Sequence, residues 1–192
     1  CTTGEHLPFL VYFGLGNDPR VQAAFAFLVE DMGREEAGAN VLDCARYGHR
    51  PCLWGAIAAL NGLAVLPPPL QTARSAQVVE RLAAALLGAP YDFTGEHKRW
   101  LTFGVPRGWD LLSALKALAA HGYGGDAAFA PLLALLLQQQ DAGGRWLCGS
   151  TSRTWPLEVR NRPSKWVTLD ALRVLTRVGC CRAARHACPC AP

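Results

Sequence analysis

The fold is decided by the stretch from Gly104 to Trp146, which has the sequence GVPRGWDLLSALKALAAHGYGGDAAFAPLLALLLQQQDAGGRW. Apolar residues at positions 111, 112, 115 and 118 have the spacing of one helix face, which predicts a helix over Trp109–Ala120. Glycines at 122, 124 and 125 end that helix, and Asp126 is the predicted N-cap of a second helix that runs to Gln140. The stretch therefore predicts a hairpin of two helices.

The same features recur along the chain at fixed intervals. Gly14-x-Gly16-x-Asp18 returns 108 positions later as Gly122-x-Gly124-x-Asp126. The pair Leu60 and Leu63 returns 55 positions later, at 115 and 118. Asp43-Cys44 comes after the helix that follows the first of these glycine turns, and Leu147-Cys148 comes after the helix that follows the second. The repeating unit is therefore a helix pair of 55 residues, and 108 positions are close to two units.

Such a repeat predicts a solenoid or a ring of helix pairs, because one pair cannot bury its own apolar face. Helical solenoids of the HEAT kind are the alternative, but their units are shorter, roughly 40–47 residues. Alternation of apolar and polar residues is almost missing from the sequence, so we expect few strands.

The end of the hairpin has the pattern Leu136-x3-Gln140-x3-Gly144-x-Trp146. A Gln at a helix C-terminus can bond the last free carbonyls, and a Trp beyond a glycine turn can stack over it. The pattern resembles the second half of the Gln-Trp repeat motif of squalene–hopene and oxidosqualene cyclases, with Leu135 where the motif has an aromatic residue. These cyclases are (α/α) toroids, and protein prenyltransferase β-subunits share their fold.

The resemblance implies an all-α fold of repeated helix hairpins in an (α/α) toroid, with about three and a half hairpins in an incomplete or open ring. The predicted domain covers residues 1–178, and a tail rich in Cys, Arg and Ala, 179–192, is predicted to be mobile. The first helix of each pair is predicted over Thr3–Gly14, Cys52–Leu66, Trp109–Ala120 and Lys165–Val178.

Composition narrows the classes of protein and partner. Apolar residues make up 51% of the 192 residues and charged residues 18%, which is typical of a folded chain with a large core. The net charge of +4 is scattered, so no nucleic-acid interface is predicted. The longest apolar run, 127–137, is too short for a membrane span and contains Pro131. We expect a cytoplasmic protein.

The chain begins at Cys1 without Met, inside a predicted helix. We expect a fragment or a processed form, in which missing N-terminal repeats or a homo-oligomer would cover the apolar edge of the first helix.

Four residues form a predicted metal site: Cys1, Cys44, His49 and Cys52. Cys1 and Cys52 precede two neighbouring first helices, and Cys44 and His49 lie in the loop between them. Three thiolates and one imidazole suit tetrahedral zinc, so zinc is the candidate cofactor. Buried free thiols and a Cys1–Cys52 disulfide are the alternatives.

Asp43 and Asp110 are the candidate catalytic residues. Asp43-Cys44-Ala45 resembles the Asp-Cys-Thr-Ala stretch of oxidosqualene cyclases, which implies a proton donor at Asp43. Asp110 lies at the start of the predicted helix Trp109–Ala120, where the alternative role is ordinary helix capping. The chain contains neither Asp-x-Asp-Asp nor Asp-Asp-x-x-Asp, the acidic patterns of cyclases and of diphosphate-binding enzymes.

An apolar ligand cavity is predicted around Trp54, Trp109, Lys165 and Trp166. Aromatic faces stabilise carbocations, although aromatic residues at helical spacing also form plain core. Two functions follow from the resemblance. The first is a terpene-cyclase-like or prenyltransferase-like protein that acts on an isoprenoid. The second is a non-catalytic toroid that binds an apolar small molecule or a partner protein and holds a structural zinc ion.

Overall fold

A computed structural model describes residues 1–34, 43–44, 50–89, 101–102, 110–150 and 157–179, and only the backbone of 43, 44, 50 and 51. The chain divides into two compact units, Cys1–Gly88 and Ala89–Pro192. Helices dominate the described residues, and the four strands among them are two residues long, so the all-α prediction is confirmed at this level. None of the helices in these ranges combines the length and apolarity needed to cross a bilayer.

The first unit consists of two helix pairs. Its elements are α1 (Thr2–Tyr12), α2 (Pro19–Gly33), β1 (Asp43–Cys44), β2 (Arg50–Pro51), α3 (Leu53–Leu63) and α4 (Ala73–Leu87). The first helices, α1 and α3, pack on each other, and the second helices, α2 and α4, pack on each other. Helix α3 also packs on α4 and is buried over most of its length. This is the contact pattern expected of adjacent repeated pairs.

Glycines bring α1 and α3 unusually close. A Cβ atom added to Gly4 would lie 2.3 Å from the carbonyl oxygen of Ala58. One added to Gly62 would lie 3.1 Å from the Cα of Gly4. The backbones therefore meet at glycines, with the first turn of α1 against the middle and the last turn of α3.

The second unit contains one helix pair and a further first helix. Its elements are α5 (Leu111–Ala120), α6 (Phe129–Gln138), β3 (Trp146–Leu147), β4 (Pro163–Ser164) and α7 (Lys165–Arg177). Helix α5 contacts both α6 and α7, and it is buried at seven of its ten positions. Between α5 and α7, the Lys116 ammonium lies 2.6 Å from the carboxylate of Asp170, which also accepts a bond from Arg173 at 3.3 Å.

Several predicted helix ends are correct and others are wrong. Helix α7 begins at Lys165, as predicted, and Ser164 is its N-cap; Asp18 is the N-cap of α2. Cys52 was predicted as the first residue of α3, but it is the N-cap, and Pro51 before it belongs to β2. Asp126 was predicted to cap α6, but the N-cap is Ala128. The carboxylate of Asp126 instead accepts the Ala128 amide at 2.7 Å, in the turn before the helix.

The glycine turns after α1 and α5 share one conformation. Gly14 has φ +80° and Gly122 has φ +84°, values that favour glycine. Asp18 and Asp126, four residues on, each accept the backbone amide two residues further along, at 2.8 and 2.7 Å. The repeated sequence pattern thus encodes a repeated turn, although α2 and α6 begin at different points after it.

Candidate functional site

The junctions that lead into α3 and α7 have the same construction. Each has a short antiparallel strand pair and an Arg-Pro step, Arg50-Pro51 or Arg162-Pro163, that directly precedes the N-cap. Asp43 pairs with Pro51, and Leu147 pairs with Pro163, so the residue before the N-cap is paired in both. Cys44 therefore corresponds to Cys148, as the sequence repeat predicts.

Different side chains make the same bond at three of the N-caps. The Sγ of Cys52 accepts the Gly55 amide at 3.3 Å. In the second unit, Ser164 Oγ accepts the Val167 amide at 3.0 Å, and Asp110 Oδ1 accepts the Ser113 amide at 2.7 Å. Cys1 is the N-cap of α1 without a side-chain bond. The first helices of the first unit therefore begin with sulfur, and those of the second unit begin with oxygen.

The thiols of Cys1 and Cys52 both lie beside Gly55. Their Sγ atoms lie 3.9 and 3.4 Å from the point where a Cβ of Gly55 would stand, so the sulfurs are no further apart than the sum of these distances. Both are free, half-buried thiols. The missing side chain at Gly55 leaves the space that the two sulfurs share.

The other members of the predicted metal site are only partly described. Cys44 lies in β1 and pairs with Arg50, which is two positions before Cys52. His49 lies outside the described residues. Among the side chains that the structure describes, no three of His, Cys, Asp or Glu gather as a metal site would require. Zinc thus stays a prediction, with two of its four ligands placed together.

Trp54 is fixed beside this thiol pair. Its indole Nε1 donates a hydrogen bond to Glu5 Oε1 at 2.9 Å, which links α3 to the first turn of α1. The predicted cavity role of Trp54 is not tested by this bond, but one edge of the ring is committed to a contact between helices. Asp43 is paired with Pro51 through β1, and its side chain lies outside the described part.

Asp110 is enclosed in a network in the second unit. It is 3% exposed, and beside its bond from Ser113 it accepts bonds from the Thr102 amide at 3.1 Å and from the Thr102 hydroxyl. Burial raises the pKa of Asp110, and these bonds oppose the rise. Thr102 is bridged in turn to Ser150, whose carbonyl accepts a bond from the buried thiol of Cys148 at 3.1 Å.

This network links Asp110 and Cys148, the two residues of the second unit that correspond to Cys1 and Cys44 of the first. Asp110 occupies the N-cap of α5 as Cys1 does in α1, and Cys148 corresponds to Cys44. Asp110 has the capping role that was the alternative to catalysis: it is the N-cap of α5, which begins at Leu111. Sequence reasoning missed Thr102 and Ser150, because they are far apart in sequence and carry no motif.

The pattern at the end of α6 forms a closed turn with other roles than expected. Trp146 is fully buried, and its indole Nε1 donates to the carbonyl of Leu136 at 2.7 Å, so the Trp caps the helix. Gln140 was expected to bond the last helix carbonyls, but its Nε2 donates to the Gly144 carbonyl at 3.1 Å instead. Gly144 has φ +76°, a value that favours glycine and that forms part of the turn between Gln140 and Trp146.

No family model, curated protein or solved structure matches this chain.

The residues of the predicted ligand cavity are divided between the two units, and one of them is not described. Trp54 belongs to the first unit, while Lys165 and Trp166 belong to the second, and Trp109 lies outside the described residues. The Lys165 ammonium lies 5.5 Å from the centre of the Trp166 ring, a cation–π distance, and Trp166 is 38% exposed.

The sequence prediction also missed an exposed aromatic surface on α1. We define it by Phe9, Tyr12 and Phe13, which are 63%, 83% and 73% exposed. Phe13 falls inside the predicted helix Thr3–Gly14, but it follows the end of α1, and the buried residues of that helix are Gly4 and Leu7. The i, i+3, i+4 spacing of the three rings was the signal available in the sequence.

Proposed function

We propose that this chain is a non-catalytic helical-repeat protein, built like part of an (α/α) toroid, that binds a partner protein through the aromatic surface of α1. The observation that supports this most is the exposure of Phe9 and Tyr12 on α1 and of Phe13 directly after it. Aromatic residues carry much of the binding energy in protein interfaces, and adjacent exposed rings mark such sites.

The geometry of the aromatic surface indicates what would bind. The Tyr12 and Phe13 rings meet edge to face, with centroids 5.4 Å apart and planes at 79°, so they hold each other in place. Leu15, which is 43% exposed, continues the apolar character into the turn. Rings that protrude from a convex helix fit a partner with an apolar groove. An isoprenoid would instead need a pocket that encloses it.

Site-specific photo-cross-linking tests the proposal in cells that produce the protein. A photoreactive phenylalanine analogue at position 13 should capture one partner protein, whereas the analogue at Gln77, an exposed polar residue of α4, should not. With the purified partner, Tyr12→Ala combined with Phe13→Ala should weaken binding at least about tenfold. Gln77→Ala should leave the affinity unchanged. Equal capture at both positions, or equal affinity of the double variant, would count against partner binding at this surface.

An enzyme of the terpene-cyclase or prenyltransferase type is the second candidate, supported by the raised pKa of Asp110. A general acid must hold its proton at working pH, and burial favours this. Against it, both carboxylate oxygens already accept bonds from Ser113 and Thr102. Turnover of a prenyl diphosphate or a squalene-like polyene, lost in Asp110→Asn, would support the enzyme. Cytoplasmic location and the lack of a nucleic-acid partner stay predictions from composition.

A further inference from the structure

We propose that the exposed face of α7 binds an acidic amphipathic helix of a partner protein, independently of the aromatic surface of α1. This face combines apolar side chains, which are 37–42% exposed, with exposed basic side chains. We call it the basic–apolar surface and define it by Lys165, Trp166, Leu169, Leu172, Arg173 and Arg177.

The spacing of these residues gives them one face of the helix. Trp166, Leu169 and Leu172 are three positions apart from one to the next, so they lie in adjacent turns. Arg173 follows Leu169 by four positions, and Arg177 follows Arg173 by four, so the two cations continue the same face. Helix α7 therefore uses its other face for the core, where it contacts α5. The residues buried there are Val167, Asp170, Ala171, Val174 and Leu175.

The exposed charges around this face are all positive. Asp170, the one carboxylate in the fully described range 159–177, is 7% exposed and already paired. Arg160 and Arg162, just before the helix, add two exposed basic residues. The bond from Arg173 to Asp170 is 3.3 Å long, and the Arg173 side chain stays 67% exposed, so its guanidinium can bind a further carboxylate. The surface is therefore complementary to an acidic partner.

The burial of the apolar residues favours a helix as the partner over a lipid bilayer. Side chains that insert into a bilayer must protrude from the protein, whereas Trp166, Leu169 and Leu172 are each more than half covered by their neighbours. Apolar side chains of a second helix can reach them between the ridges of α7, while its acidic residues meet the flanking cations. A nucleic acid would contact the cations but gain little from the two leucines. Residues 180–192 of this chain contain two Arg and no Asp or Glu, so their charge does not suit the surface.

Fluorescence anisotropy of a labelled peptide tests the proposal on the full chain. The probe is a helical peptide of about five turns, with Leu on one face and Glu and Ala on the other. We expect saturable binding that weakens as salt is added, because screening reduces the attraction. The same peptide with Gln in place of Glu should bind at least about tenfold more weakly. Equal binding of the two peptides would overturn the proposal.

Variants of the protein locate the binding site. Arg177→Glu reverses an exposed charge of the basic–apolar surface and should weaken peptide binding at least about tenfold. Arg34→Glu is the matched control: it makes the same change in net charge at a 62% exposed side chain of the first unit and should leave the affinity unchanged. Leu169→Ser should weaken binding about fivefold or more, because it removes apolar contact area. Equal effects of the two charge reversals would overturn the proposal.

Further measurements separate this surface from other modes of binding. Tyr12→Ala combined with Phe13→Ala should bind the peptide as the wild type does, because the aromatic surface belongs to the other unit. Loss of peptide binding in that variant would overturn the proposal. Tighter binding to vesicles of phosphatidylserine and phosphatidylcholine, or to single-stranded RNA, than to the peptide would do the same. So would self-association of the chain that Leu169→Ser abolishes in sedimentation.

Discussion

At the scale of single residues, Asp110 shows how one buried carboxylate can both start a helix and oppose folding. Its oxygens accept the amides of Ser113 and Thr102, which have no other bond described. We expect Asp110→Ala to lower the free energy of unfolding by about 2 kcal/mol, because it takes the acceptor away from two part-buried amides. Urea denaturation measures this. Asp126→Ala, which removes an exposed carboxylate that also accepts one amide, should cost less than about 1 kcal/mol.

The same residue predicts a pH effect. Burial raises the pKa of Asp110 above its ordinary value of 3.8, so the folded chain holds this proton more tightly than the unfolded chain. Stability due to this group is then greatest at low pH and is lost as the pH rises through the raised pKa. Relative to Asp110→Asn, the wild type should therefore lose unfolding free energy as the pH is raised from about 4. A difference between the two proteins that is independent of pH would contradict this.

At the scale of elements, the contact between α1 and α3 depends on the lack of a side chain at Gly4. We expect Gly4→Ala to destabilise the protein by about 3 kcal/mol or more, because its Cβ would lie 2.3 Å from the Ala58 carbonyl oxygen. Gly125→Ala is the control: no atom lies within 4 Å of its added Cβ, and its φ is not positive. Thermal unfolding midpoints of Gly4→Ala and Gly125→Ala measure the difference. Equal midpoints would show that α1 and α3 can move apart without loss of stability.

The turn after α6 gives a separate test of an element. Trp146→Phe keeps a ring in the core but removes the donor to the Leu136 carbonyl, so we expect a loss of about 1–3 kcal/mol. Leu147→Ala, at a position 41% exposed, should change stability by less than about 0.5 kcal/mol. If Trp146→Phe is as stable as the wild type, the indole bond does not hold this turn.

Local signals predicted the helices, while contacts between distant residues remained out of reach. Asp18 and Ser164 were recognisable as N-caps because capping needs only neighbouring residues. Thr72 was missed, although its capping box with Ser75 starts α4 at Ala73. The bonds of Asp110 with Thr102 depend on how the loop before α5 folds back, and periodicity carries no information about that.

At the scale of the whole molecule, the two units are each built around their own core. Phe25 and Leu60 are fully buried in the first, and Leu115 and Phe129 are fully buried in the second. Gly4→Ala should therefore speed hydrogen exchange in α1 and α3 while leaving α5 and α7 protected. Mass spectrometry of exchanging peptides measures this, and faster exchange in all four helices would show that the units unfold as one.

Helices α1 and α7 both expose large apolar residues. On α1 these form the aromatic surface, and on α7 they are Trp166, Leu169 and Leu172, which are 37–42% exposed.

The helix starts also have an evolutionary consequence. Thiol, carboxylate and hydroxyl groups at Cys52, Asp110 and Ser164 all accept an amide three residues ahead, so the backbone tolerates any of them. A single codon change at such a position exchanges a metal-binding atom for an acid or an alcohol without altering the scaffold. In a lineage built by duplication of helix pairs, these positions are where one copy could acquire new chemistry while its neighbour kept the ancestral role.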